Sequence, residues 1–525
     1  MEITVGLALL LALIAGFGYY SRRFMGAPFL ERAIIMAPLT GLVMGDLKTG
    51  LLIGGTLELV FMGATAIGGS VPPNIPVGAV LGTAFAISAG LTVEEAIVIA
   101  VPAALLGSLG ELLAKTVSTI FVNAAEKYAE KGNTSGITAM VHLGNIAHGL
   151  STAIPVFVAL VLGQDAVAAA STALPETVRT GITVAGKILP ALGFGILLST
   201  LASPAFIPWF FIGFAIAAYA GWGVLGVSLV GIMAAAFYVS QKGGLSLLSS
   251  TDKGKIDQYS VVPKKDQVKM FWRSFALQSA FSFDRMQALG FTWTLMPFLE
   301  KIYKGSKEFS ASLKRHLSFL NTNPWVVGPI VAIVAELEAK RAENPEEVDE
   351  QSIQAVKGSL MGPLAGIGDS MVQGTLVPIM GGVASSLALQ GNPIAPILFF
   401  LVINTAHFWL RWNSLSVSFK FGTRFFEEMD QSSMSRLLEG ATIAGLMGVG
   451  GLVGTWLNIK TPVVYTIQDA SITLQAMLDS ILPKLLPLLA TLGVYYGIKK
   501  GLKNTQVLLI ILVVGGVLGA LKILG

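Results

Sequence analysis

Cysteine is absent from the chain, and charged residues make up only 13% of it. Without cysteine there is no disulfide, no Cys-ligated zinc site and no thiol nucleophile. The four histidines are too few for most histidine-rich metal sites. No P-loop, HExxH or GxSxG pattern occurs, and the net charge of +4 comes without a basic block. These absences argue against nucleic-acid binding and against an enzyme that works alone, and we expect no cofactor.

The chain is poor in charged residues because it is unusually rich in apolar ones. Hydrophobic residues make up 53% of the 525-residue chain, which also has 59 glycines, whereas a soluble protein carries roughly 25% charged residues. Small residues let helices pack closely inside a bilayer. The first apolar segment is followed by Arg22 and Arg23 and has no cleavage site, so we predict a retained helix rather than a signal peptide. The composition predicts an all-α polytopic membrane protein.

Lysine-rich sequence divides the chain into two halves. Residues 249–270 contain five lysines and three aspartates, and a lysine excess in a short loop predicts the cytoplasmic side. We predict a membrane domain at 1–243, a cytoplasmic linker at 244–265 and a second membrane domain at 266–525. Many apolar segments are shorter than the ~20 residues of a full span. This pattern predicts broken or re-entrant helices, together with amphipathic cytoplasmic helices.

One carboxylate stands alone in apolar sequence. Glu58 is the only ionisable side chain between Lys48 and Glu94. A charge in a membrane-embedded segment is costly and points to a functional site. Glycines around it and the run from Pro72 to Pro76 predict a broken helix that lines a substrate cavity. The structural alternative is a glutamate paired with a lysine or reaching out from a helix end.

The second half has three polar clusters within apolar sequence. In the first, residues 271–291 are predicted to form a helix with Gln278 and Arg285 near one face and Asp284 and Gln287 on another. Asp284 and Arg285 fit a structural ion pair and a functional role equally well. The amides of the two glutamines suit sugar hydroxyls better, because an amide both donates and accepts without a buried charge.

The other two clusters each have a common structural explanation. Asn321 and Asn323 precede Pro324 and fit the capping of a turn. Asp369 follows a glycine-rich segment, where an N-cap and a substrate role are equally plausible. His316 is predicted to lie on a surface helix.

These motifs together resemble a known family. Residues 1 to about 243, with MGDLKTGLLIGGTLEL and AAEKYAEKGN, are similar to the IIC component of mannose-family phosphotransferase-system permeases. Residues from about 266 onward, with FDRMQALGF, KRHLSFLNTNPW, VKGSLMGPLAGIGD and LLEGATIAGLMGVGGLV, resemble the IID component. The two components are usually separate polypeptides, and here they form one chain.

The resemblance implies a bacterial inner-membrane permease that takes up a hexose or amino sugar. A separate phosphorylated IIB protein, supplied by IIA and HPr, would phosphorylate the sugar, so the phosphoryl-carrying histidine is not on this chain. The family unit is thought to be a trimer with an elevator-like core. Carried over by position, the substrate-binding candidates are Glu58, Asn74, Gln278, Asp284, Arg285, Gln287, Asn321 and Asp369.

At two positions this chain differs from a mannose-type IIC component, and both bear on sugar specificity. A mannose-type IIC has Asn where this chain has Ala66, and Asp where it has Asn74. The loss of two polar groups should change which hydroxyl or acetamido groups are accepted. An N-acetylated sugar therefore enters the candidate list. Two other functions fit the residues: a secondary transporter that couples sugar movement to protonation of Glu58, and a membrane receptor or scaffold without transport.

Overall fold

The computed structural model describes residues 2–63, 72–173, 175–242, 260–303, 305–421, 431–467 and 470–525, and these parts are almost entirely helical. Ten helices belong to the first half: α1 (Val5–Phe24), α2 (Ala33–Val43), α3 (Leu47–Val60), α4 (Ile75–Ala89), α5 (Val93–Glu130), α6 (Thr134–Ala173), α7 (Glu176–Ile188), α8 (Pro190–Leu201), α9 (Ile207–Ala220) and α10 (Val224–Gln241). The predicted all-α membrane fold is confirmed.

The second half continues this helical pattern and adds one small hairpin. Its helices are α11 (Lys264–Ser274), α12 (Ala288–Tyr303), α13 (Lys307–His316), α14 (Gly328–Glu343), α15 (Glu350–Gly368), α16 (Val377–Leu389), α17 (Ile394–Phe421), α18 (Gln431–Trp456), α19 (Leu474–Ile481), α20 (Leu485–Lys499) and α21 (Asn504–Ala520). A π-helical segment (Asp369–Leu376) joins α15 to α16. Strands β1 (Val464–Ile467) and β2 (Ala470–Thr473) pair antiparallel before α19.

Eight helical stretches in the described residues are long and apolar enough to cross a membrane: residues 5–24, 93–130, 134–167, 176–201, 224–241, 350–389, 394–420 and 438–456. The multi-pass character predicted from composition is therefore confirmed. The division of the chain at the linker is not a division in space, because helix α18 of the second half packs between α9 and α10 of the first. Glycines make this contact close: a Cβ atom on Gly213 would collide with Met447, and one on Gly450 with Phe210.

The helix around Glu58 is interrupted, as the glycines and prolines predict. Helix α3 starts after Asp46, whose side chain accepts a hydrogen bond from the N–H of Thr49 at 3.0 Å. It ends at Val60, and the next helix among the described residues begins at Ile75. Helices α2 and α3 form a tight hairpin, since Gly50 lies against the backbone of the opposite helix. Both helices are too short to cross a bilayer alone.

A second hydrophobic core forms mainly from helices that are not among these eight stretches, together with the ends of several that are. Helices α11 to α14 pack there against the polar ends of α5 and α6. The 38 residues of α5 span about 57 Å at about 1.5 Å per residue, nearly twice the ~30 Å of a bilayer core. Val262, at the end of the lysine-rich linker, also packs in this core. We call helices α11–α14 the linker-side subdomain, on the side that the lysine excess predicts to be cytoplasmic.

Two local predictions are wrong. Residues 271–291 are not one helix: α11 ends at Ser274, and the chain then turns, with left-handed backbone at Ala280 and Met286, before α12 begins at Ala288. Met286 pairs with Leu320 of a distant loop, a contact that local sequence does not reveal. The prediction that His316 lies on a helix surface is also wrong, because its side chain is fully buried.

Asp369 is not an N-cap. The chain runs helically from α15 through the π-helical segment into α16 without a break, despite its glycines. Inside a bilayer, backbone groups can bond only to one another, which favours continuing the helix through glycine-rich sequence. The wider turn leaves Thr375 bonded through its hydroxyl to the carbonyl of Ser370 at 3.0 Å. The N-cap alternative is thereby removed for Asp369.

Candidate functional site

Glu58 is isolated in sequence but paired in the fold. Its side chain is fully buried near the end of α3. Oε1 accepts a hydrogen bond from Nε of Arg32 at 2.8 Å and another from Nη2 at 2.5 Å. Oε2 accepts a hydrogen bond from the N–H of Ile34, in the first turn of α2, at 3.3 Å. Arg32 is itself only 2% exposed. The structural alternative predicted from the sequence was a lysine partner, and the partner is instead an arginine from a segment 26 residues earlier.

The pairing limits what the carboxylate can still bind. Each carboxylate oxygen has about two acceptor positions. Arg32 uses both on Oε1, and the N–H of Ile34 uses one on Oε2. Glu58 can therefore accept one further hydrogen bond through Oε2. Because the guanidinium donates twice to the same carboxylate, its orientation is fixed before any ligand arrives.

The second half reaches Glu58 through α16. A Cβ atom on Gly381 would lie 3.2 Å from Oε1 of Glu58 and 3.4 Å from the side chain of Met62. One turn earlier on α3, Gly55 lies against Ala388 in the same way. Two glycines, one from each half, thus allow α3 and α16 to approach closely. Gly381 was missed by the sequence analysis, because glycine is common throughout the chain.

If the chain takes up sugar, as the family resemblance implies, replacing Gly381 with alanine is expected to reduce that uptake several-fold while the protein stays folded. The added methyl group would push α16 away from the Glu58 carboxylate, at a cost of roughly 1–3 kcal/mol for overpacking. Uptake into cells or vesicles measures the effect. Gly362→Ala is the matched control, since a Cβ atom there meets nothing within 4 Å. Equal uptake by the two variants would contradict the close approach.

Residues 25–32, which we call the 25–32 loop, place Arg32 beside Glu58. Ala27 and Phe29 have positive φ angles of 62° and 60°, a conformation that costs roughly 1–2 kcal/mol for a residue with a Cβ atom. The second half holds this strained backbone. Nε1 of Trp325 donates to the carbonyl of Ala27 at 3.3 Å, and the ring of Trp325 meets that of Phe29 edge-on at 5.7 Å.

Arg411 of α17 secures the same loop. This buried guanidinium donates to the carbonyl of Gly26 at 3.3 Å, to that of Ser274 at 2.6 Å and to Nε2 of His407 at 3.0 Å. Gly26 follows the end of α1, and Ser274 is the last residue of α11. Helix C-termini carry partial negative charge, so two helix ends compensate a cation that bonds to no carboxylate among the described residues.

Asn323 and Asp369 are brought together by the fold. Nδ2 of Asn323 donates to Oδ1 of Asp369 at 2.9 Å. The other amide atom, Oδ1, accepts from the N–H of Trp325 at 3.0 Å, as the predicted turn cap would. Asp369 starts the π-helical segment, a geometry that is frequent at functional sites. Through Trp325 and the 25–32 loop, this polar pair is joined by contacts to the pair of Arg32 and Glu58.

Gln278 and Gln287, the two glutamines predicted to contact substrate, differ in whether their amide groups already have hydrogen-bond partners. Nε2 of Gln287 donates to the carbonyl of Thr322 at 2.7 Å, and its Oε1 accepts from the N–H of Thr322 at 3.1 Å. Both ends of this amide therefore hold the loop that carries Asn321. The Oε1 atom of Gln278 is buried and has no hydrogen-bond partner in the described part of the chain. The acceptor of Gln278 is thus wholly unused, whereas both ends of the Gln287 amide are already engaged by the Thr322 backbone.

Asp284 and Arg285 contact the first half of the chain. Arg285 donates to Glu126 of α5 at 2.7 Å, and Asp284 accepts from the hydroxyl of Thr119, also on α5, at 3.1 Å. The pair itself is 3.7 Å apart. These contacts tie the linker-side subdomain to α5, and they favour the structural explanation of this pair over a sugar-binding role. Asn321 is partly exposed and makes no hydrogen bond to any described residue.

Asn74 has a structural role at the start of α4. It is the N-cap of α4, where its Oδ1 accepts from the N–H of Val77 at 3.3 Å and its Nδ2 donates to the hydroxyl of Thr152 at 2.9 Å. Ala66, the second position that departs from the mannose pattern, lies outside the described residues. No group of three or more metal-ligating side chains occurs within the described ranges.

Comparison with known proteins matches both halves of the chain. Residues 5–237 match the family model described as the PTS system sorbose-specific IIC component, and residues 261–524 match the mannose/fructose/sorbose family IID component. Over 226 residues the chain is 38% identical to the sorbose-specific EIID component of Klebsiella pneumoniae. The aligned region covers 42% of this chain and 82% of that protein.

Other relatives match in the same way. Over 244 residues the chain is 31% identical to the mannose-specific EIIC component of Escherichia coli strain K12, covering 46% of this chain and 90% of that protein. A solved structure of the mannose transporter ManYZ in complex with microcin E492 is 31% identical, with 51% of this chain and 99% of that chain covered and a TM-score of 0.31.

Proposed function

Since the chain belongs to the mannose/fructose/sorbose family of phosphotransferase-system permeases, with its IIC and IID components in one multi-pass polypeptide of the inner membrane, we propose that it binds a neutral sugar beside Glu58, where α3 and α16 meet. The observation that carries this proposal is the close contact of a buried carboxylate from the IIC half with Gly381 from the IID half. A site built from both halves requires both components for transport.

The proposed substrate is a hexose or an amino sugar, N-acetylated sugars included. The remaining acceptor position on Glu58 takes one sugar hydroxyl, and the free amide oxygen of Gln278 is an independent acceptor candidate. Neutral ligands suit a site whose charges already compensate each other, because an additional buried charge would be costly. Asn321 and Asp369 are further candidates for polar contacts, and Ala66 is proposed to tune specificity.

The proposed mechanism couples movement to phosphorylation. Sugar binds from outside, a core domain carries it across in an elevator-like step, and a separate phosphorylated IIB protein transfers its phosphoryl group to a sugar hydroxyl. The phosphohistidine N–P bond breaks, a sugar O–P bond forms, and the hydroxyl proton is released. The charged product no longer fits a site for neutral sugar, so return is disfavoured. A homotrimer is the proposed assembly.

Reconstitution tests this function directly. The purified chain in lipid vesicles, supplied with phosphorylated IIB proteins, should convert one of a panel of sugars into its phosphate. The competing proton-coupled transporter would instead accumulate unmodified sugar when a proton gradient is applied. Uptake that requires the gradient but no phosphoenolpyruvate-derived phosphate would overturn the proposal. Binding of sugar without either form of uptake would favour a receptor or scaffold.

Asn74→Asp is expected to shift the relative preference among sugars by about 10-fold, as a hydrogen-bond difference of about 1.4 kcal/mol would, rather than to abolish uptake. Aspartate is as good an N-cap as asparagine, and it can accept a hydrogen bond from Thr152 in place of the one that Asn74 donates. The substitution restores the residue type of a mannose-type IIC. Competition between mannose and N-acetylated sugars in an uptake assay measures the shift. An unchanged preference would show that Asn74 only caps α4.

A further inference from the structure

Helix α19 differs from the other helices near the C-terminus. It meets α20 at an angle of 72°, across a short break in which Lys484 has a positive φ of 62°. The carboxylate of Asp479 accepts a hydrogen bond from the N–H of Lys484 at 3.4 Å and closes this bend. None of the residues of α19 is buried. The chain thus keeps a sharply bent, largely exposed helix next to one that packs in the membrane domain.

Helix α19 is amphipathic. At about 100° per residue, its four large apolar side chains fall within one arc: Leu474, Met477, Leu478 and Ile481. Met477 is 51% exposed and Ile481 is 72% exposed. The opposite side carries Gln475 and Asp479, which bond to each other at 2.9 Å. Exposed apolar side chains on one side and polar ones on the other are typical of a helix at a membrane surface.

The position of α19 on the outer side follows from α18. The start of the apolar part of α18, residues 438–456, lies near Lys242, which bonds to Glu439 at 3.1 Å and directly precedes the linker region. The other end of this membrane helix, at Trp456, must then lie on the opposite side of the bilayer. Between Trp456 and α19, the described residues form the β-hairpin and its short connections. Since the linker is predicted to be cytoplasmic, α19 lies at the outer surface.

We propose that α19 is an interfacial helix that binds the outer leaflet of the membrane. Helix α20 packs along α8 and α21 in the membrane domain, so a 72° bend brings α19 close to the membrane plane. Its apolar side enters the boundary between headgroups and acyl chains, while Asp479 faces water. The lysines at 460 and 484 flank the helix and suit anionic lipid phosphates. A position inside the hydrocarbon would leave the exposed Asp479 in lipid, at high cost.

This contact with lipid is linked by packing to the helix of Glu58. Gly195 of α8 lies against Val494 of α20 so closely that a Cβ atom would collide. Two residues earlier, Gly193 lies equally close to the carbonyl of Leu59, next to Glu58 on α3. Helix α8 is thus wedged between the anchored helix and the proposed sugar site. Lipid binding at α19 therefore helps to fix the position of α8, the helix against which α3 packs.

The absence of native cysteine makes the test direct. Met477→Cys on the apolar side and Ala476→Cys on the polar side give two neighbouring exposed positions for a nitroxide label. In vesicles of phosphatidylglycerol and phosphatidylethanolamine, the label at 477 should be more accessible to oxygen than to a water-soluble nickel complex, and the label at 476 should show the reverse. Both labels accessible to nickel would place the helix in water and overturn the proposal.

A second outcome would also overturn it. A label at 477 that is immobilised and accessible to neither reagent would mean that a second copy of the chain covers α19. In the expected case, Lys460→Gln with Lys484→Gln should make the 477 label shallower in anionic vesicles and leave it unchanged in phosphatidylcholine vesicles. These readouts do not involve sugar, so they succeed or fail independently of the proposed transport function.

Discussion

Glu58→Gln is expected to lower sugar uptake by about 10- to 100-fold, the largest effect on transport of any single substitution proposed. A hydrogen bond from a ligand to a charged group contributes roughly 1.5–3 kcal/mol, and each 1.4 kcal/mol is about a factor of 10 in affinity. Uptake of the accepted sugar, measured at several concentrations, should show the loss mainly as a raised half-saturation concentration.

The pairing with Arg32 adds a second consequence. Removing one charge of a buried pair leaves the other uncompensated, at about 3–5 kcal/mol. Glu58→Gln should therefore also lower the thermal stability of the purified protein, an effect that the isolated glutamate in the sequence does not foretell. Loss of uptake by this variant alone would not distinguish sugar binding from a damaged fold.

The double variant Arg32→Gln with Glu58→Gln separates the two roles. It removes both charges, so the uncompensated arginine disappears and thermal stability should recover most of the loss. Uptake should stay low, because the sugar hydroxyl then meets a neutral amide oxygen in place of the stronger, charged carboxylate acceptor. A double variant that regained both stability and uptake would show that the pair only holds α2 against α3, and Glu58 would then leave the proposed site.

Glu338→Gln is expected to lower the free energy of unfolding by about 3–5 kcal/mol, an effect on stability as large as that of Glu58→Gln. Glu338 is fully buried in α14. Its carboxylate accepts hydrogen bonds from Nε of Arg315 at 2.8 Å, from Nε2 of His316 at 2.8 Å and from the hydroxyl of Tyr303 at 2.6 Å. These bonds fasten α12 and α13 to α14, and the loop after α13 carries Asn321 and Asn323.

The pH dependence of this stabilisation follows from the carboxyl pKa. Burial alone would raise the pKa of Glu338, but the hydrogen bond from His316 and the charge of Arg315 lower it from 4.5 to about 2. Burial lowers the pKa of His316, while its contact with Glu338 acts in the opposite direction. A depressed carboxyl pKa stabilises the fold above about pH 4.5, and the contribution is lost as the pH falls towards 2.

Thermal unfolding in detergent, followed from pH 8 down to pH 3, measures both effects. The wild-type protein should lose stability below about pH 4.5 more steeply than Glu338→Gln, which lacks the titrating group. Glu343→Gln, an exposed position on the same helix, is the matched control and should follow the wild type. If the two variants unfold alike at neutral pH, the buried cluster does not hold the linker-side subdomain together.

Several features of the site could be predicted from the sequence because they depend on local composition. A single carboxylate in an apolar segment marks Glu58, and glycine with proline marks the interrupted helix around it. Asn74 before Ile75 and Pro76 is a local capping signal. The family match of both halves likewise rests on short runs of residues. These inferences need no knowledge of which segments meet.

Other features depend on distant contacts. Asp284 and Arg285 were candidates for sugar binding, but the fold places Arg285 against Glu126, 159 residues away. The helix predicted for residues 271–291 is interrupted because Met286 pairs with Leu320. Local propensity favours the helix there, and tertiary pairing overrides it. Burial of His316 likewise depends on Glu338, which lies on another helix.

The sequence by itself determined that this chain crosses a membrane and that Glu58 lies in its apolar part, because transfer into lipid depends on residue composition along short segments. It also determined which family the chain belongs to. Only the tertiary structure decided that Glu58 is paired with Arg32 and lies against Gly381. Those contacts join segments far apart in the chain, and they form where glycines let helices approach and where a buried charge must find a partner.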